Sequence, residues 1–190
     1  MSVRTPELPN PAPLGLCAFG MTTILLNLHN IGLFPMNSMI LAMAIFYGGS
    51  AQIIVGAMEF RKGNTFGTVA FSSYGLFWLT FVYLTLFPTE NPAFATDDAA
   101  MAAYLVIWGV FTLMLFFATL KANRALQFVF MSLTILYFLL ASALAIPPLL
   151  PIAGIEGFIC GSSAFYLGIA QILNETYKRT VLPIFPVKSD

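Results

Sequence analysis

Six long apolar stretches run through this sequence, at roughly residues 14–30, 37–60, 66–87, 99–120, 125–146 and 149–176. Most approach the ~20 residues that a helix needs to cross a bilayer. In hydrocarbon no water satisfies backbone N–H and C=O groups, so an unclosed segment of this kind must be helical. The predicted class is therefore an all-α membrane protein with six transmembrane helices. Only 8% of the 190 residues are charged, against about 25% in soluble domains. Net charge is zero, which argues against a nucleic-acid partner and leaves the lipid bilayer as the solvent. The domain reading is a tail at 1–13, a membrane domain at 14–176 and a second tail at 177–190.

The breaks have physical causes. Gly32 and Pro35 end the first run, and Arg61-Lys62-Gly63-Asn64 ends the second. Pro88 to Asp98 is polar, Lys121-Ala122-Asn123-Arg124 is a charged turn, and Pro147-Pro148 stops the fifth run. Asn10 is expected to cap the first helix, with Pro11 at the first helical position. No basic segment with a cleavage site precedes it, so the first run is expected to be its own insertion signal. Every Lys and Arg falls on one side of the six-run scheme: Arg4, Arg61, Lys62, Lys121, Arg124, Lys178, Arg179 and Lys188. The positive-inside rule then places both termini in the cytoplasm. No Lys or Arg sits mid-membrane, so an anion crossing here meets no buried cation. Cys17 and Cys160 both lie within apolar runs, without metal-ligand spacing; neither a metal nor a cofactor is expected.

The sequence also carries traces of a repeat. Phe46-Tyr47-Gly48-Gly49-Ser50-Ala51-Gln52-Ile53-Ile54 recurs as Phe165-Tyr166-Leu167-Gly168-Ile169-Ala170-Gln171-Ile172-Leu173, 119 residues later. Half that offset lands on Gly109 and Thr112, so Gly49/Gln52, Gly109/Thr112 and Gly168/Gln171 each place a small residue three before a polar one. Asn64 and Asn123 open the third and fifth runs, 59 residues apart. Phe71-Ser72-Ser73-Tyr74 then aligns with Phe130-Met131-Ser132-Leu133, and Asn10 puts Phe19 in the same slot after a one-residue gap. A hairpin repeat preserves chain direction, so its copies are parallel, related by an axis along the membrane normal. Three copies would enclose a central path.

Three segments together carry a resemblance: Asn10-Pro11-Ala12-Pro13-Leu14-Gly15-Leu16, the stretch YGGSAQIIVGAMEFRKGNTFG at 47–67, and the ending Leu173-Asn174-Glu175 to Pro183-Ile184. In this order, over nearly the whole chain, they resemble the acetate uptake transporter family. The resemblance implies uptake of acetate and related small carboxylates, succinate among them, across a bacterial or archaeal cytoplasmic membrane. It also implies a homo-hexamer with one path inside each protomer, and it matches Phe19, Tyr74 and Leu133 to the constriction of that path. Channel and proton-coupled carrier both stay open.

Read on their own, the residues suggest further roles. Phe19, Tyr74 and Leu133 each lie nine or ten residues past a helix-start asparagine, a common depth of about 14 Å. A ring of apolar-bodied side chains there gates by dewetting and penalises a bare carboxylate, with the Tyr74 hydroxyl as offset. Asn10, Asn64 and Asn123 cap three helix N-termini, which suits a weak anion site. Asn27, His29 and Asn30 lie near the outer end of the first helix as candidate mouth residues. Gln52, Thr112 and Gln171 are polar at membrane depth, either lining a cavity or bridging helices. Glu59 and Glu175 are expected to pair with neighbouring cations. Glu156 stands near the outer end of the sixth helix, with no role implied by the resemblance. Gly161-Ser162-Ser163 looks like an intramembrane protease serine motif, but the chemistry needs a base and His29 is the sole histidine. The alternatives to an acetate path are a formate-channel-like anion pore, which would show inverted repeats, and a non-transport tetraspan-type structural protein.

Overall fold

A computed structural model describes residues 8–187. Arg4 and Lys188, used in the charge count, lie outside the described residues. Six helices emerge: α1 (Ala12–Asn30), α2 (Ser38–Arg61), α3 (Thr65–Glu90), α4 (Asp98–Thr119), α5 (Arg124–Ala145) and α6 (Leu150–Tyr177). All six are long and apolar enough to span a membrane, and among the described residues no strand longer than one bridge forms. An even number of spans brings the start of α1 and the end of α6 to one side. We call it the termini side.

The helices close a ring in chain order, α1 against α2, α2 against α3, α4 against α5, α5 against α6, and α6 back against α1. Small residues permit the closest approaches. A Cβ on Gly20 would stand 2.6 Å from the Gly161 carbonyl oxygen, and one on Gly161 would stand 2.8 Å from that of Gly20. Helices α3 and α4 stand further apart, and large side chains fill the gap. Phe77 stacks on Tyr104 at 5.9 Å, and Thr80 Oγ1 meets the Tyr104 hydroxyl at 2.6 Å. Helix α4 fully buries only Gly109, Thr112 and Thr119, with Tyr104, Trp108 and Phe111 partly buried against the core.

Local chemistry departs from expectation in three places. Helix α3 runs through Pro88 to Glu90. In the last turn the missing N–H removes one hydrogen bond, and the Asn91 N–H still reaches the Phe87 carbonyl at 3.0 Å. Helix α1 begins at Ala12 with Pro11 as its N-cap residue, one position later than expected. Helix α2 contains a π-helical segment, Met43–Ala51, that apolar patterning does not announce. Its wide turn lets Ser50 Oγ donate to the Ile45 carbonyl at 2.8 Å, and such segments gather at functional positions.

The packing does not follow the register of the sequence match. Gly56 of α2 lies against Ser72 of α3, whereas Gly168 of α6 lies against Cys17 and Pro13 of α1. Cys17 and Ser72 hold equivalent places relative to Phe19 and Tyr74. Packing therefore pairs Gly168 with Gly56, two turns from the Gly49 that the sequence match supplies. Gln52 and Gln171 accordingly sit at different depths.

Candidate functional site

Among the described residues two cavities inside the ring stand out, and they share no lining residue. The larger, roughly 430 Å³, opens on the termini side, with Asn10, Lys121 and Gln171 near its mouth and Phe19, Tyr74 and Leu133 at its deep end. The smaller, roughly 290 Å³, is lined by Asn30, Phe77, Tyr104, Leu140 and Leu150 among others. Tyr74 and Phe77 are one turn apart on α3, so the partition between the cavities is about 5 Å thick along that helix.

That partition is aromatic. Phe19, Tyr74 and Leu133 are 7%, 4% and 4% exposed. The Tyr74 ring lies 6.0 Å from Phe19, 6.1 Å from Phe130 and 6.2 Å from Trp108. Directly beyond, Phe77 meets Tyr137 edge-on at 5.3 Å and Trp108 at 5.2 Å. Edge contacts between rings hold such a plug in one arrangement. Sequence reasoning singled out neither Phe77, Trp108, Phe130 nor Tyr137. Helical spacing was the available signal: Phe77 lies three residues after Tyr74, and Phe130 and Tyr137 lie three before and four after Leu133.

Hydrogen-bond polarity at the plug follows from one chain of donors. Thr112 Oγ1 donates to the Trp108 carbonyl at 2.7 Å. Its single proton is then committed, so the Tyr74 hydroxyl, 2.9 Å away, must donate to Thr112. Tyr74 therefore offers the cavity only an acceptor, and the offset expected for a carboxylate is not available from its proton. Gln52, 1% exposed, spends its amide N–H on the Gly48 carbonyl at 2.8 Å, and its Oε1 has no partner.

Nearer the mouth, Asn64 Oδ1 accepts from the Gly67 N–H at 3.1 Å, capping α3. Its Nδ2 donates to Glu59 Oε2 at 2.7 Å. Glu59 is fully buried and lines the cavity, which corrects the surface pairing expected for it: the exposed Lys62 turns instead to Asn10 Oδ1, 3.0 Å away. Glu175 is exposed and does not line this cavity. Asn10 Nδ2 reaches Gln171 Oε1 at 3.4 Å, and its Oδ1 caps α1 only weakly, 3.4 Å from the Ala12 N–H. Asn123 caps α5 through the Leu126 N–H at 2.8 Å but does not line the cavity. The polar set thus divides, with Asn10, Asn64, Gln52 and Gln171 facing one cavity while Thr112 acts through Tyr74 and Asn123 stands outside.

The far-side candidates separate as well. Asn30 lines the smaller cavity. Asn27 is packed into α6, where a Cβ on Gly157 would strike its side chain, and it hydrogen-bonds the Thr23 carbonyl. His29 Nδ1 sits 3.0 Å from the Phe34 carbonyl and joins neither cavity. Glu156 accepts from Ser132 Oγ at 2.6 Å, bridging α5 and α6. Among the described residues no cluster of three or more metal-ligating side chains forms, and both cysteines are free and buried.

The six-helix chain is similar to known proteins. The family described as GPR1/FUN34/yaaH matches residues 1–189. The chain belongs to this family. A relative from Escherichia coli strain K12, the succinate-acetate/proton symporter SatP, is 56% identical over 180 residues, covering 94% of this chain and 96% of that protein. Acetate permease A of Emericella nidulans is 31% identical over 202 residues, covering 96% of this chain and 68% of that one. The solved structure of the bacterial acetate channel SatP superposes with a TM-score of 0.91 at 56% identity, over 94% of this chain and 99% of the other. The GPR1/FUN34/yaaH chain described here is a multi-pass membrane protein, and its named relatives are transporters and channels.

Proposed function

We propose that this protein carries acetate and related small monocarboxylic acids, with succinate as a further candidate, through the two vestibules and the plug between them. Relatives named for acetate at 56% and 31% identity support the substrate class. The observation that carries the mechanism is the committed Tyr74 proton. With Tyr74 an acceptor and Gln52 Oε1 unpartnered in the same cavity, that cavity suits a solute that donates a hydrogen bond. A carboxylic acid does so, whereas a bare carboxylate would lose its hydration among acceptors and rings. The plug then gates by excluding water and by size.

Phe19, Tyr74 and Leu133 form the first layer of the gate, and Phe77 and Tyr137 the second. Asn10, Gln171, Gln52 and Asn64 hold the acid on the termini side, and Asn30 serves the far side. The cations Arg61, Lys62, Lys121, Arg124, Lys178 and Arg179 cluster at the termini side, which supports a cytoplasmic location for both termini. In this reading each protomer of a homo-hexamer in the cytoplasmic membrane carries its own path, and the three hairpins are copies of one ancestral unit. Labelled acetate flux into proteoliposomes, with and without an imposed pH gradient and against protein-free vesicles, tests the function. Flux no higher than in the protein-free vesicles would refute it.

A further inference from the structure

The larger cavity contains a carboxyl group that the gate does not use. Glu59 is fully buried, Asn64 Nδ2 holds one of its oxygens at 2.7 Å, and the other, Oε1, has no hydrogen-bond partner. It lies two turns of α2 from Gln52 toward the mouth, on the way from the gate to the open end. A Cβ on Gly67 would stand 2.9 Å from its carboxyl carbon, so the bare α3 backbone leaves room for this side chain. A buried carboxyl oxygen with no donor against it has room for a hydrogen-bond partner, and intramembrane acids of this kind mark proton or substrate pathways.

From this geometry we infer that Glu59 is the proton acceptor of the termini-side vestibule. The inference rests on the reading that the acid form passes the gate. An acid that has cleared Tyr74 meets the free Oε1. Its O–H bond breaks, an O–H bond forms on Glu59, and the carboxylate moves on to the polar mouth. The proton then leaves Glu59 for water at that mouth, which restores the carboxylate. Asn64 positions the group, since its amide grips Oε2 while its own oxygen is tied to the Gly67 N–H. The other titratable or charged groups lining this cavity are Tyr74 of α3 and Lys121 after α4; α1, α5 and α6 contribute none among the described residues. On α2 itself, Arg61 and Lys62 are exposed.

The test uses the full chain in proteoliposomes, with labelled acetate and an entrapped pH indicator, corrected for protein-free vesicles. Glu59→Gln is expected to lower net acetate uptake and acetate-driven proton influx together, at least about tenfold, because the acid that clears the gate then has no acceptor in the vestibule. Glu59→Asp, which keeps the carboxyl, is expected to restore proton influx. Equal acetate-driven proton influx in Glu59→Gln and the unaltered protein would overturn the assignment, as would a folded Glu59→Asp protein no faster than Glu59→Gln. A hydrophobic carbodiimide, which adds protonated carboxyls in apolar surroundings and leaves a stable N-acylurea, supplies a variant-free check. Mapping by mass spectrometry should find Glu59 modified and protected by acetate; an unmodified Glu59 at every pH would overturn the inference. If the unaltered protein moves no acetate at all, the transport reading fails, whereas acetate flux in the unaltered protein with equal flux and proton influx in Glu59→Gln removes Glu59 alone.

Discussion

The phenol oxygen of Tyr74 and the hydroxyl of Thr112 lie 2.9 Å apart, joining α3 to α4 where the two backbones stand off from each other. Both residues are buried, and the Thr112 proton is already directed at the Trp108 carbonyl. Tyr74→Phe removes one acceptor from the gate but keeps the ring and leaves Thr112 satisfied. Stability should fall by about 1 kcal/mol, the net worth of a single hydrogen bond. Acetate flux per folded protein should fall about three- to tenfold, with the preference for acetate over longer acids unchanged. Melting in detergent and flux assays with two acids check both parts.

Truncating the gate should act on size. Phe19→Ala and Tyr74→Ala each remove a ring from the 6.0 Å Phe19–Tyr74 contact. Each should cost about 3–5 kcal/mol of stability. In the protein that folds, flux of a longer monocarboxylate relative to acetate should rise about tenfold, because the dry ring that excludes bulk is opened. An unaltered ratio in both variants would take these residues out of the path.

His29→Ala should leave acetate flux and its pH profile unchanged. The imidazole Nδ1 faces the Phe34 carbonyl and the ring lines neither vestibule. A displaced pH profile in the alanine variant would show that the histidine acts on the path after all.

The two caps should differ in consequence. Asn123→Ala removes a cap at the Leu126 N–H outside the cavity and should cost about 1 kcal/mol, with transport intact. Asn64→Ala removes the α3 cap and also leaves Glu59 Oε2 without a donor. Its cost should be larger, about 2–4 kcal/mol. Thermal unfolding of the pair in one detergent measures the difference.

Two glycines make a similar contrast. A methyl on Gly20 meets backbone on both sides, the Gly161 oxygen at 2.6 Å and the Phe165 nitrogen at 2.7 Å. Neither atom moves without shifting α6, so Gly20→Ala should cost about 3 kcal/mol or more. Gly63 has φ +77° and open space around it. There only the left-handed backbone resists, and Gly63→Ala should cost about 1 kcal/mol. Equal losses in melting temperature would contradict the close α1–α6 contact.

The number, length and helical state of the membrane segments were legible in the sequence, because hydrocarbon imposes them locally. A run of apolar residues between turn signals has one stable solution there, whatever surrounds it. The Asn64 and Asn123 caps were legible for the same reason, since a cap is settled within four residues of chain. Only the tertiary structure decided which polar residues share a cavity. Gln52 and Gln171 look equivalent in the sequence, yet the fit of Gly56 onto Ser72 and of Gly168 onto Cys17 sets them two turns apart. Glu59 reads as a surface acid beside Arg61 and Lys62, but its burial depends on Gly67 of another helix leaving room for it. The same holds for Tyr74. Its spacing from Asn64 sets it level with Phe19 and Leu133, but the direction of its proton depends on Thr112 and Trp108 of a helix 34 to 38 residues away. Contacts between distant segments are set by how whole helices pack, and helix periodicity within one segment carries no record of the partner it will meet.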